Sequence, residues 1–74
     1  MNEKTLLISF GKNLKLLRIE RGMSQEALGH ACDLDRTYIS GIERGKRNVS
    51  LINLSKLAKA LNLPIHQLFF RLGE

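Results

Sequence analysis

Cysteine is nearly absent from this sequence. The single example, Cys32, leaves no internal disulfide to close, and no group of Cys and His has the spacing of zinc ligands. Long apolar runs are also missing. Nothing approaches the roughly 18 consecutive apolar residues of a membrane span. The opening MNEKTLLISFGKNLK has a short apolar patch without the pattern of a secretory leader. Internal repeats, low-complexity segments and long linkers are lacking, and no stretch alternates with period two, so no sheet is expected. Acidic residues are scarce: 7 against 12 basic ones, for a net charge of +5 and a pI near 9.9. That balance suits a polyanionic partner, although basic domains also arise for solubility alone. Catalytic constellations are missing too. His30 and His66 stand far apart without companion acids, and Ser24, Ser40 and Ser50 fit capping or contact roles. These absences predict a reduced, soluble, cytoplasmic protein that is not an enzyme. They call for no cofactor, no metal and no small-molecule ligand.

What is present is a single small helical domain over residues 1–74. Its hydrophobic content of 43% is that of a folded chain. A chain of this size buries only about 60% of its unfolded surface and gains from a partner. Leu7, Phe10, Leu14 and Leu17 recur at helical spacing and predict a first helix over 5–20. A membrane-lying amphipathic helix is the rival reading, but this apolar face is narrow and has later helices to pack against. Gly11 inside it disfavours the helix, which points to a close contact. Arg21-Gly22 ends it. Ser24 caps a second helix, with Glu26 at the positive end of its dipole and Leu28 and Ala31 facing inward. Cys32-Asp33-Leu34 makes a turn, with Cys32 expected in the core; no basic neighbour in sequence favours a redox role. Asp35 caps a third helix through Glu43, with Ile39 and Ile42 inside. Ser50 caps a fourth over 51–61, whose stripe is Leu51, Leu54, Leu57, Ala58 and Leu61. Asn62-Leu63-Pro64 breaks it. Pro64 opens a short fifth helix, with apolar Ile65, Leu68 and Phe69 and a candidate in Phe70.

Residues 24–45 are the informative part. Two helices that cross steeply over a turn nearly touch, so the second needs a small residue at the crossing, and Gly29 sits there. The turn needs one residue at positive φ, which Asp33 can supply at some cost. Leu34 then plugs the core. Together these spacings signal a helix-turn-helix. The segment MSQEALGHACDLDRTYISGIERGKR resembles that of the Cro/cI-repressor family of phage and bacterial regulators. RIERGMSQEAL before it and SLINLSKLAKALNLP after it fit the family's first and fourth helices. The segment DRTYISGIERGKRN is similar, more narrowly, to the controller proteins of restriction-modification systems, small all-helical homodimers that activate or repress their own operon.

The resemblance implies an all-α, five-helix, lambda-repressor-like domain that binds double-stranded DNA as a homodimer. It places Arg36, Thr37 and Ser40 at base edges in the major groove and Tyr38 against the DNA. Gln25 would touch a phosphate and brace the recognition helix. Arg44, Lys46, Arg47 and Asn48 would grip the flanking backbone. Arg18 and Glu43 match a buried ion pair tying the first helix to the third, and Arg18 does fall beside the Leu14/Leu17 stripe. The chemistry agrees independently. Arginine can donate two bonds to guanine, threonine offers a hydroxyl and a methyl, and the start of a recognition helix is what reaches the bases. Loop cations set affinity and salt dependence rather than sequence. Blander readings exist for several residues: Tyr38 as packing, Gln25 as a capping neighbour, Arg18 and Glu43 as separate surface charges, the loop as merely solvated.

The apolar C-terminal segment, 50–72, is expected to serve core and dimerisation, with Leu61, Leu63, Ile65, Leu68, Phe69 and Phe70 as interface candidates. Its rival role is only to complete the monomer core. Two-fold symmetry would require a pseudo-palindromic operator with half-sites roughly 34 Å apart. RNA polymerase is a further partner if the protein activates, and no residue can be assigned to that contact. A phage-type repressor and an autorepressing antitoxin are neighbouring alternatives. A protein-interaction module is the reading from a different class.

Overall fold

In a computed structural model that describes residues 1–70 and 72, four α-helices and one short 3₁₀ turn form the chain: α1 Glu3–Glu20, α2 Gln25–Cys32, α3 Arg36–Glu43, α4 Leu51–Ala60, and the 3₁₀ segment Ile65–Phe69. The all-α expectation stands, with four α-helices rather than five. Residue 71 of the expected C-terminal segment, like 73 and 74, lies outside the described residues.

Each helix start is written in the sequence as a side-chain oxygen that satisfies a free backbone N–H. Ser24 accepts from Ala27 at 2.9 Å, Asp35 from Thr37 at 2.8 Å and Ser50 from Asn53 at 3.1 Å. Asn2 does the same for Thr5 at 2.8 Å. That cap starts α1 at Glu3, two residues before the predicted boundary.

All four helices end alike. Within two residues of each end, one takes a positive φ: Gly22 at 66°, Asp33 at 56°, Gly45 at 75° and Asn62 at 57°. The following N–H then reaches back to close the last turn, Met23 to Arg18 O, Leu34 to Gly29 O, Lys46 to Gly41 O and Leu63 to Ala58 O. Asn62 is therefore what stops α4, before Pro64 is reached. Pro64 precedes the 3₁₀ turn instead of opening a full helix, and its carbonyl accepts from Gln67 N–H at 3.0 Å.

Leu14, Leu28, Ile39, Ile42, Leu57, Leu61 and Leu68 are fully buried at the centre, one or two from every element. Cys32 joins them, as expected for a residue just before the turn. Ala31 is exposed, because α2 turns Leu28 and Cys32 inward at a spacing of four. Leu51 is 73% exposed and not part of the α4 stripe; it lies in the first turn, beyond the edge of the core. Two backbone approaches need glycine. At Gly11 a Cβ would strike the carbonyl oxygens of Ile42 and Glu43, so α1 and α3 cross there almost in backbone contact. At Gly29 a Cβ would strike the carbonyl oxygen of Leu34, in the turn itself. Asn13 is a buried polar residue whose amide donates to the carbonyl of Leu68, fixing the 3₁₀ turn to α1. Arg21 Nε donates to Leu61 O at 2.9 Å and caps the end of α4.

Candidate nucleic-acid interface

The third helix is held from behind by a charged network. Arg18 Nε meets Glu43 Oε2 at 2.7 Å and Arg18 Nη2 meets Oε1 at 3.0 Å, a two-pronged pair whose side chains are 10% and 3% exposed. Gln25 Nε2 donates to the same Oε1 at 3.0 Å, and Arg18 Nη1 donates to Met23 O at 2.8 Å. One carboxylate thus ties α1, the start of α2 and the end of α3 together. The hydrogen bond to Glu43 holds the Arg18 guanidinium even more firmly protonated than usual, against the opposing effect of burial. Arg18 and Glu43 are together and inward, not separate surface charges. Gln25 braces them.

The opposite side of α3 is open. Arg36 and Thr37 are exposed, while Tyr38 and Ser40 are half-buried. Asp35 Oδ1 accepts both from the Thr37 N–H at 2.8 Å and from Thr37 Oγ1 at 2.7 Å. The hydroxyl proton of Thr37 is therefore occupied, and what it offers a partner is an oxygen acceptor and a methyl group. Those two bonds also pull the Asp35 carboxyl below its ordinary pKa. Arg44 Nε lies 3.4 Å from Ser40 O. Arg44, Lys46, Arg47 and Asn48 are all exposed. Arg47 folds back over the Tyr38 ring, with Cζ 5.7 Å from its centroid. Asn48 also borders a shallow apolar groove lined by Leu6, Leu7, Phe10, Val49 and Phe69. Tyr38 turns out to pack against the core and to present a surface at once.

The C-terminal candidates divide. Leu61 and Leu68, at 1% and 0% exposure, are inside the monomer core and cannot serve as interface residues. Leu61 is buried where α4 closes, and Leu68 lies in the 3₁₀ turn packed against α1. Leu63 is half-buried against the same core, whereas Ile65, Phe69 and Phe70 keep 37%, 38% and 70% of their surface. Sequence reasoning missed Asn13, Arg21 and Asn53. Asn13 had a signal, since it falls three residues after Phe10 on the apolar face of α1. Arg21 and Asn53 carry none, because their partners, Leu61 O and the Tyr38 hydroxyl, lie 40 and 15 residues away.

Cys32 is a free, buried thiol, pushed up in pKa chiefly by desolvation. Among the described residues no three His, Cys, Asp or Glu side chains converge as a metal site would need, and no helix is long and apolar enough to cross a membrane.

Comparison with known proteins matches residues 14–68 to the model of a helix-turn-helix family. The control protein C.MunI of a Mycoplasma species is 52% identical over 63 residues, which span 84% of this chain and 85% of that protein. The crystal structure of the restriction-modification controller protein C.AhdI of Aeromonas hydrophila superposes with a TM-score of 0.84 at 51% identity, covering 85% of this chain and 96% of that one. The controller protein C.Esp1396I, solved as a tetramer in complex with its natural 35 base-pair operator, superposes at 0.79 with 42% identity, covering 86% and 84%. The chain therefore belongs to the helix-turn-helix family of transcription regulators and, within it, resembles the controller proteins of restriction-modification systems.

Proposed function

We propose that this protein is a restriction-modification controller, a homodimer that binds a pseudo-palindromic operator and regulates its own gene and that of the endonuclease. The observation that carries the reading is the two-sided build of α3. Its inner side is fastened by Arg18, Glu43 and Gln25, while Arg36 and Thr37 are exposed at its N-terminal end, Thr37 held by Asp35. A rigid helix with donors and acceptors at its leading turn suits base-edge recognition in a major groove. In this reading Arg36, Thr37, Tyr38 and Ser40 face the bases. Gln25, Arg44, Lys46, Arg47 and Asn48 face the phosphates. Leu63, Ile65, Phe69 and Phe70 meet a second copy. The operator complex of C.Esp1396I supports the partner class. An activating role would add RNA polymerase as a partner, in the cytoplasm where the operator lies.

Selection from a random-sequence duplex pool tests this. A two-fold motif should be enriched, and Arg36→Ala should relax preference at one or two of its positions by about 1–3 kcal/mol. A pool that stays random at low salt, with the dimer confirmed, would sink the proposal.

A further inference from the structure

Residues from three segments meet along one edge of α3. The half-buried ring of Tyr38 packs on the core, and its hydroxyl accepts from Asn53 Nδ2 of α4 at 3.2 Å. The Arg47 guanidinium stands 5.7 Å over that ring, within the roughly 6 Å reach of a cation–π contact. To get there, the Arg47 stem crosses α3 at Gly41. A Cβ at Gly41 would lie 2.9 Å from Arg47 Cγ and 3.3 Å from Nε. Glycine is a poor helix former, yet it sits inside an eight-residue helix here. The space it leaves is filled by Arg47.

We propose that Asn53 and Gly41 are positioning residues for DNA contact. Asn53 fixes the Tyr38 ring, Gly41 leaves the channel for the Arg47 stem, and together they place Arg47 over the ring before DNA arrives. The inference rests on the reading that α3 faces DNA. A long side chain ordered in advance loses less freedom on binding, which for one residue amounts to about two- to tenfold in affinity. The charge of Arg47 is the same whether it is ordered or not. Disturbing the positioning residues should therefore weaken binding without changing its salt dependence, whereas removing Arg47 should lower the salt slope by about one.

The test uses the full chain and a duplex recovered from the random-sequence pool. Gly41→Ala and Asn53→Ala should each lose about two- to tenfold in affinity, with an unchanged salt slope and no fall in melting temperature; alanine is the better helix former at position 41. Asn53→Ala should have no further effect in a Tyr38→Phe background, where the hydroxyl it holds is already gone. Tyr38 is the only tyrosine, and tryptophan is lacking, so tyrosine fluorescence and ring resonances report on this unit alone. The Arg47 side-chain protons should show a ring-current shift in the free wild type and lose it in Gly41→Ala. Variants that bind like the wild type would overturn the inference. So would unshifted Arg47 resonances, or an Asn53→Ala loss that persists in the Tyr38→Phe background, which would make Asn53 a direct contact. A wild type that holds no duplex at low salt would instead overturn the DNA reading itself, and this role with it.

Discussion

Arg18 and Glu43 show how much one buried side chain can hold. Taking both charges out of water is costly, and their two-pronged bond, supported by Gln25 and the Met23 carbonyl, offsets that cost only while both charges are present. Removing one partner leaves the other as an uncompensated buried charge. Arg18→Ala is therefore expected to destabilise the chain by about 3–5 kcal/mol, a large share of the total for a domain this small. Urea unfolding measures it. A loss under about 1 kcal/mol would mean that water reaches Glu43 and that the network is no clamp. Gln25→Ala should cost far less, since Glu43 Oε1 keeps its bond from Arg18 Nη2. In the sequence, the pair is visible only through a resemblance and through the place of Arg18 beside the Leu14 stripe. Nothing local says that Glu43, on a polar helix, points inward.

At the scale of elements, the recognition helix begins with a cap whose strength depends on pH. Thr37 gives its N–H and its hydroxyl to the Asp35 carboxylate, favouring the charged form and lowering the pKa from its ordinary value of about 3.9. A carboxyl depressed in the folded state contributes stability that is fully present above the unfolded pKa. That contribution is lost as pH falls through the folded value. The start of α3 should thus be insensitive to pH from neutrality down to about 4 and should loosen only below that. Following the Asp35 side-chain carbon by NMR in an acid titration gives its midpoint. A midpoint at or above the ordinary carboxylate value would show that Thr37 does not hold the cap, freeing its hydroxyl to donate to a base. Caps of this kind made most of the fold legible. Ser24, Asp35 and Ser50 announce three helix starts, and Gly22 and Asp33 two helix ends. Errors fell where local signals compete. Leu51 fits the α4 stripe by spacing, but the core ends before it reaches that turn. Leu61 and Leu68 look surplus in sequence, yet Leu61 is buried where α4 closes and Leu68 in the 3₁₀ turn that Asn13 pins to α1.

At the scale of the whole molecule, the radius of gyration of 11.0 Å is that of a fully condensed chain of this length, about 11 Å. The monomer has nonetheless left large apolar groups outside. Phe70 keeps 70% of its surface, and Phe69, its ring tilted against that of Phe10 with centroids 5.5 Å apart, keeps 38%. Burying such rings against a second copy stabilises by roughly 25 cal/mol per Å² of apolar surface, and it would set two α3 helices at a fixed spacing. Association that favours the folded form makes melting temperature rise with protein concentration. We expect that rise in the wild type, and we expect Phe70→Ser to abolish it while leaving the dilute monomer folded, because Phe70 lies outside the core cluster. Sedimentation equilibrium should then show monomer over the same concentrations, and binding to a two-fold operator should fall more steeply than binding to a half-site. A second exposed patch makes the test discriminating. Leu51 and Ile52, 73% and 71% exposed, sit side by side at the opening of α4. If Phe70→Ser leaves the dimer intact while Ile52→Ser dissociates it, the two-fold axis passes along α4 instead of the C-terminal turn. The spacing between recognition helices would then be set by that helix.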